Sequence, residues 1–579
     1  MAAHDLVNWY ESSLAPTERK TRGHFSTPPR LVEQILDACG FSPERNLTQL
    51  RVLDPACGGG NFLTAVLHRL VLSAEANGLS QRQMLSRVQQ NIWGFDPDPV
   101  ACFMAEMHLR EALAAYTLQS PQYRSSLPLH IHQADALTFP WGQALAEKRH
   151  ADIDLFLANP PYLAAKNTDL SAYRQARGHQ GQSDSYLLFL DLALRLVRPG
   201  GWIGLVLPDP VLARTNAASE RQVLLRETTI HQLWHLSGVF SAFVGAVVIV
   251  AQKRLPKRSH QVTWTRGHWH LPSGTVVPIS IGSESLIPHT PILGREKPEQ
   301  AHEHTSMIRQ EVLARQPEAE LRYLWGRMQG TLIERLYLHS QGHAGKKSLL
   351  APLSHWVTVR RGEELSKDHA LLSPWRPNEG EWYPVLRGGV DIHPYRFPQA
   401  IRWMQREHIH KPLARYHAPK ILVIKSTGQL QASLDLEGHI VLQTLYILNL
   451  TREDLCTFQE QEDELFFLLA LLNSRLLRVY TYVLHTAYKW VQPQIEQHVL
   501  AHLPVPTLAG PERRFIIQRA RELQSACSAK PPVVELKEKE MYEELEQAIC
   551  ALYESALQGR RASSSPLDRR IADKGVTYG

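Results

Sequence analysis

Five short apolar runs constrain this chain more than any other feature: "RVLDPA" (51–56), "IWGFDPD" (92–98), "LHIHQAD" (129–135), "IDLFLANP" (153–160) and "WIGLVLP" (202–208). Each is stopped by Pro, Gly or Asp, and amphipathic stretches such as "NFLTAVLHRLVLSAEANG" and "SYLLFLDLALRLVRPGG" lie between them. A strand covered on both faces reads as a near-continuous apolar run, because neither face meets water. Strand–helix alternation of this kind predicts an α/β fold, a doubly wound and mostly parallel sheet, from about residue 20 to 255. Ligands bind such sheets beyond the carboxyl ends of the strands. That places the residues following each run at the centre of any functional reading.

At 579 residues the chain is too long for one core. A first domain is predicted over 1–255, followed by a connecting region over 256–345 that opens near the basic, proline-containing "QKRLPKRSHQ". The connecting region is expected to hold strands and then a helix near "AELRYLWGRMQGTLIERLYLHS". A domain over 346–510 mixes aromatic strand candidates ("EWYPVLRGGVDIHPYRF") with the helical "DELFFLLALLNSRLLRVYTYVL". A helical extension is predicted over 511–558, and 559–579 reads as a disordered basic tail.

Composition narrows the class. A net charge of +6 and a pI near 8.9 suit a nucleic-acid partner without demanding one. Six cysteines stand far apart with no C-x-x-C pair, which predicts reduced thiols in a cytoplasmic protein and no zinc site. The 28 histidines include no H-E-x-x-H, so no metal is expected. The opening "MAAHDLVNWYESS" lacks the pattern of a signal peptide. The greasiest segment, "GVFSAFVGAVVIVA" (238–251), is too short to cross about 30 Å of hydrocarbon and reads as a buried strand, so no membrane is expected.

Chemistry begins at "VLDPACGGGNF", where three glycines let the backbone approach a ligand at a helix start. A dinucleotide fingerprint would place glycine where Ala56 stands, and Asp54 would repel a pyrophosphate. A carboxylate there suits a cation, and S-adenosylmethionine carries an ammonium and a sulfonium without phosphate. Asp96 at the second run's end can take both ribose hydroxyls. Asp135 at the third can accept from the adenine amino group. The bland alternatives are a tight strand–helix turn and two solvated loop carboxylates. Three acidic strand ends in order after a glycine loop weigh against them.

The fourth run ends "NPPY". An amino group on an aromatic ring or a carbonyl is a poor nucleophile because its lone pair is delocalised. Acceptors that bind its two hydrogens favour a pyramidal, reactive nitrogen. The Asn159 side-chain oxygen is one, and the Pro160 carbonyl, held by the fixed φ of proline, is a natural second. Tyr162 offers a π-face for a flat base, worth about 1–3 kcal/mol. Asn-Pro-Pro is also a good strand terminator that can arise by chance, but even alone the motif favours chemistry, and its place after the acidic strand ends strengthens that reading.

The order "STPP" (26–29), "DPACGGG", "GFDPD", "QADAL" and "NPPY", followed by a C-terminal domain, resembles the gamma class of DNA adenine methyltransferases, and within it the TaqI-like enzymes. Residues 350–506 match more loosely, through "YPVLRGGVDIHP" and the helical segment that follows. The resemblance implies a seven-stranded S-adenosylmethionine-dependent catalytic domain over 1–255 and a target-recognition domain over 346–510. It places Thr27 near the cofactor's methionine part, Asp54, Pro55, Ala56, Cys57 and Gly58 at its amino-acid end, Asp96 and Pro97 at the ribose, and Asp135 and Ala136 at the adenine. Asn159 and Pro160 hold the target amine, and Tyr162 stacks on the base. Phe240 best fits a second stacking position, with Phe243 competing.

The implied reaction is site-specific methylation of the adenine N6 amino group in double-stranded DNA, with the base flipped out of the duplex. Lys166, Arg174 and Arg177 in the polar stretch after the motif are candidate DNA contacts, as are Arg360, Arg361, Arg387 and Arg396. A cognate restriction endonuclease or defence-system subunits are possible partners. Rival readings keep the site and change the context: an RNA guanine or protein glutamine acceptor, a modification subunit that needs partners, or a fused restriction–modification enzyme. The last has "PE" (511–512) and "ELK" (535–537) as a chance echo of a nuclease spacing, in a segment of helical pattern.

Overall fold

The computed structural model describes residues 26–117, 127–141, 153–163, 184–240, 245–270, 275–278, 305–328, 330–340, 348–426, 428–451, 457–489, 493–528 and 535–559. The chain divides into two compact units, one of Met1–Ile281 with Glu299–Gly326, the other of Gly282–Pro298 with Arg327–Gly579.

All five apolar runs are strands of the first unit: β1 Val52–Asp54, β2 Ile92–Asp96, β3 His130–Gln133, β4 Ile153–Ala158 and β5 Val197–Pro208. β6 (Thr229–Ser237) and β7 (Ala246–Gln252) complete the order β3-β2-β1-β4-β5-β7-β6, in which β7 alone is antiparallel to its neighbours. This is the expected doubly wound, mostly parallel sheet. The chain leaves central β1 for β2 and β3 on one side, then returns to lay β4 on the other. The crevice at that reversal lies at the carboxyl ends of β1 and β4.

Three more strands extend the sheet. β8 (Gln261–His270) runs parallel to β6, and both β9 (Thr275–Pro278) and β10 (Thr305–Arg309) run antiparallel to β8. Much of the segment expected to connect the domains is therefore part of the first unit, which ends at Gly326. The reason is the alternation of "QVTWTRGHWH", whose Val262 and Trp264 are buried and cover the sheet beyond β6.

Several boundaries differ from the sequence reading. The helix Ser185–Leu196 stops two residues short of Pro-Gly-Gly, because Val197 already pairs with Ile153 in the ladder. In "GVFSAFVGAVVIVA" the strand is Ala246–Gln252, and the described residues before it, 238–240 and 245, are not strand. The helix expected near 319–340 is a 3-10 turn, Tyr323–Met328, and a helix, Leu332–Ser340, separated by Gly330 at φ 78°.

The second unit carries a four-stranded antiparallel sheet, β12 (Val357–Arg361), β18 (Leu445–Leu450), β15 (Lys420–Ile424) and β16 (Ala432–Asp435), in that order. A three-stranded sheet joins β13 (Trp382–Leu386) to β14 (Arg402–Gln405) and β17 (Ile440–Val441), and β11 (Leu350–Pro352) pairs with β19 (Pro504–Pro506). The helix Phe458–Asn473 starts on a Thr457/Glu460 capping box, and Ser474 then caps a second helix, Arg475–Thr481. Among the described residues no single helix is long and apolar enough to cross a membrane. The PE and ELK stretches open two helices, Pro511–Ser528 and Glu535–Gln558.

Candidate active site

The site is built along the carboxyl edge of the first unit's sheet. Because β3, β2, β1 and β4 are parallel neighbours, their ends present Asp135, Asp96, Asp54 and Asn159 in that order. Adjacent strands lie about 4.8 Å apart, so Asn159 stands one strand from the glycine turn.

Between β1 and the helix Asn61–Ala76 the glycine loop is fixed at several points. Cys57 N–H donates to Phe95 O at 2.9 Å, and Gly60 N–H donates to Cys57 O at 2.8 Å. Gly60 caps the helix at φ 88°, and an added Cβ would lie 3.0 Å from Ala105 Cα. Gly58, at φ 51°, faces open space: a Cβ there would meet nothing within 4 Å. Backbone strain thus demands glycine at Gly58 while a vacant volume lies before it, as a ligand cradle requires.

Two carboxyl groups stand behind that cradle. Asp54 is 1% exposed and its Oδ1 accepts from Ala56 N–H at 3.1 Å. Burial pushes its pKa up to about 8; the Ala56 hydrogen bond opposes the rise and the charge of Asp96 adds to it. Asp96, also buried, accepts from Gly58 N–H at 3.0 Å and from Asp98 N–H at 2.9 Å. Two buried acids side by side favour a bound cation over an anion. S-adenosylmethionine fits that donor set: Asp54 would meet its ammonium end and Asp96 its ribose, with Gly58 allowing close approach. Cys57 is a buried thiol, held well above its usual range by burial and by both aspartates, and so serves as packing.

The raised Asp54 pKa gives a signed expectation. The folded state holds its proton up to about pH 8, whereas an unfolded aspartate releases it near 3.9, so the native state binds more protons between those values. This carboxyl therefore withdraws stability as pH rises through that window. Asp54→Asn is expected to gain melting temperature relative to the unaltered chain between pH 6 and 9, read by thermal unfolding without cofactor.

Other sequence-predicted residues fall as follows. Thr27 is buried, and its carbonyl accepts from Asn61 Nδ2 at 2.9 Å, which ties the "STPP" segment to the glycine loop. Asp135 is half-buried, with Oδ1 accepting from Leu137 N–H at 2.9 Å. The Ala136 carbonyl accepts from Trp141 Nε1 at 2.8 Å. Pro160 is buried and Asn159 half-buried at the mouth of the edge. Ser185 brackets the Pro-Pro turn: its hydroxyl donates to Pro161 O and accepts from Leu163 N–H at 2.9 Å. The Tyr162 hydroxyl donates to Val206 O at 3.3 Å, and burial together with Asp209 holds the phenol well above its usual range. Phe240 meets the Tyr162 ring edge to face, with centroids 6.2 Å apart and planes at 74°. Phe243, Lys166, Arg174 and Arg177 lie outside the described residues.

Sequence reasoning missed the residues that brace this edge. His108 Nδ1 bonds Gly59 O at 2.6 Å from a helix many residues downstream. Asp209, just past β5, accepts from His235 Nε2 at 3.1 Å, while His235 Nδ1 meets the Tyr323 hydroxyl at 2.8 Å. Burial pulls the His235 imidazole below its usual range against the opposing pull of Asp209. An added Cβ at Gly245 would lie 2.1 Å from Asp209 Oδ1, so the residue before β7 must be glycine. Asn61 and Asp209 were visible, one directly after the glycines and one at a fifth strand end. His108, His235 and Tyr323 carried no local signal.

In the second unit Arg360 and Arg361 are exposed, and Arg396 is half-buried. Arg387 departs from the expectation of a DNA contact. It is buried, and its Nε and Nη2 donate to Asp391 Oδ2 and Oδ1 at 3.0 and 2.9 Å. A bidentate pair closing its own turn leaves that guanidinium no face for a partner.

Known protein families match stretches of both units. Residues 2–266 match the N-6 DNA methylase family and residues 383–505 the TaqI-like C-terminal specificity domain. The type II methyltransferase M.BstVI of Geobacillus stearothermophilus is 26% identical over 194 residues, which is 33% of this chain and 34% of that protein. M.XhoI of Xanthomonas vasicola is 28% identical over 195 residues, 32% of this chain and 34% of that protein. These matches span about a third of the relatives' length. The type IIL restriction-modification enzyme MmeI, solved in complex with DNA, shares the fold across 98% of this chain and 80% of its own, with TM-score 0.56 and 11% identity. The type ISP enzyme LlaBIII, bound to DNA, covers 91% of this chain and 41% of its own at TM-score 0.53 and 12% identity.

Proposed function

We propose, for a chain that joins an N-6 DNA methylase domain to a TaqI-like C-terminal specificity domain, that it transfers a methyl group from S-adenosylmethionine to the N6 amino group of adenine at a specific site in duplex DNA. One observation carries the reading: Asn159 and Pro160 close β4 immediately beside the acidic, glycine-turned end of β1. An acceptor pair for an amino group and a cradle for a cationic donor thus share one edge.

The geometry supports a division of labour. Bound S-adenosylmethionine supplies a methyl group already activated by its sulfonium. Asp54 and Asp96 hold the donor's cationic and hydroxyl groups, and Asp135 its base. Asn159 Oδ1 and the Pro160 carbonyl accept the two N–H bonds of the target amine, so its lone pair is turned toward the methyl carbon. Holding the reactants in line accounts for much of the rate, and no strong base is required. Tyr162 and Phe240 supply the aromatic surface that offsets the few kcal/mol of flipping a base. Their edge-to-face contact means that one ring must rotate for both to stack on that base. The names of the relatives support a place in restriction–modification, with a cognate endonuclease or defence subunits as partners.

Incubation with labelled S-adenosylmethionine and plasmid DNA, followed by sequencing that detects methylated adenine, tests the reading. N6-methyladenine within one short sequence is the expected result. Label appearing in RNA or in protein glutamine instead would replace the substrate assigned above.

A further inference from the structure

In the second unit the strand register itself brings two cations to one place. Arg361 on β12 sits opposite Tyr446 on β18, and Tyr446 sits opposite Val423 on β15. Opposed residues share a face of a sheet, and Lys425, two residues past Val423, returns to that face at the strand's end. The result is a cavity of about 660 Å³ whose lining includes Arg361, Lys425, Tyr446, Glu496, Gln497 and His498.

Its framework is rigid. The Tyr446 hydroxyl donates to Ile495 O at 3.0 Å, Ile495 N–H donates to Lys425 O at 3.0 Å, and Gln497 Nε2 donates to Val359 O at 2.8 Å. The carboxylate in the lining, Glu496, is bridged by Lys489 Nζ at 2.7 Å and lies 3.5 Å from His498 Nδ1. Burial lowers the Lys425 ammonium's pKa and the neighbouring Arg361 charge lowers it further. Two like charges held within each other's field, around a space open to solvent, are stabilised by an anion between them.

We infer that this cavity seats one phosphodiester group of the DNA strand, clamped between the Arg361 guanidinium and the Lys425 ammonium. It sets where the recognition domain grips the duplex without reading a base. The inference rests on the reading of this chain as a DNA methyltransferase. Arg361 offers a planar fork to two phosphate oxygens, and Lys425 a point charge to the third side. Arg360, on the same strand but paired with Ile447 on the opposite face, has no share in the cavity.

The test is equilibrium binding of a duplex carrying the methylated sequence across a salt series, for the full chain and for Arg361→Gln, Lys425→Gln and the double variant. Neutralising one phosphate contributes a slope of about 0.9 in log K against log salt. The double variant is expected to lose about that much slope, and no more than one phosphate's worth, because both side chains serve the same group. Lys425→Arg is expected to restore it. Cofactor binding and the sequence methylated stay unchanged. Salt-dependent binding unaltered in the double variant overturns the phosphate seat alone. A changed methylation sequence overturns it in favour of base reading. No DNA binding by the unaltered chain overturns the underlying function as well.

Discussion

Asn159→Ala is expected to lower single-turnover methyl transfer by about a thousandfold, the scale of losing one preorganised polar group that acts in the transition state. Cofactor affinity should stay within a few-fold of the unaltered chain, because Asn159 ends β4 while the acidic cradle sits on β1 and β2. The side chain is half-buried at a strand's end, so its removal leaves the core packing untouched. Asn159→Asp keeps an acceptor in place and is expected to retain more activity than alanine. Pro160→Ala keeps the carbonyl, so it should act only through a looser backbone and cost far less. Transfer by the alanine variant within tenfold of normal would show that the amide does not activate the amine.

The second large effect lies in the recognition unit and concerns stability. Lys420 and Asp435 face each other across β15 and β16, both wholly buried, with Nζ to Oδ2 at 2.5 Å. Asp435 also accepts from the backbone N–H groups of Glu437, Gly438 and His439 and from His439 Nδ1 at 2.8 Å, while Lys420 Nζ donates to Tyr416 O at 2.6 Å. Burial works against the Asp435 carboxylate, but the His439 hydrogen bond and the Lys420 charge outweigh it and hold the group well below the usual range. Removing one member of such a pair strands the other, at about 3–5 kcal/mol. Lys420→Met should therefore unfold the second unit at markedly lower temperature and raise hydrogen exchange at 420–424 and 432–435, with β7 still protected. Because the folded carboxyl titrates below its unfolded value, its contribution is fully present above about pH 4 and fades as pH falls below that. An unchanged melting profile for Lys420→Met would show the pair to be energetically neutral.

Much of the first unit was legible because its signals are local. A buried parallel strand announces itself by an unbroken apolar run, and Pro, Gly or Asp marks where it stops. Strand ends in a doubly wound sheet are also where ligands sit, so "DPACGGG", "GFDPD", "QAD" and "NPPY" could be placed at one edge. Boundaries fared worse where local cues conflicted with pairing. Pro-Gly-Gly looked like the end of the helix from Ser185, yet the ladder to Ile153 took over at Val197. The region after 255 read as a connection because its strands join a sheet already begun far upstream.

Arginines show the other limit. Arg361 and Arg387 look alike in sequence, each beside glycine in a turn-rich stretch. Asp391 stands four residues after Arg387, but that spacing guarantees a meeting only on a helix; here a turn brings the two together. Lys425 reaches Arg361 only through two intervening ladders.

The sequence by itself determined the parallel centre of the sheet and the order of chemical groups along its edge, since burial periodicity and chain stops are written in neighbouring residues. Tertiary structure alone decided which cations face outward, how Tyr162 and Phe240 meet, and what braces the glycine loop. Those outcomes depend on contacts between residues far apart in the chain, such as His108 with Gly59 and His235 with Tyr323, where the energy of pairing is fixed by packing that no short stretch encodes.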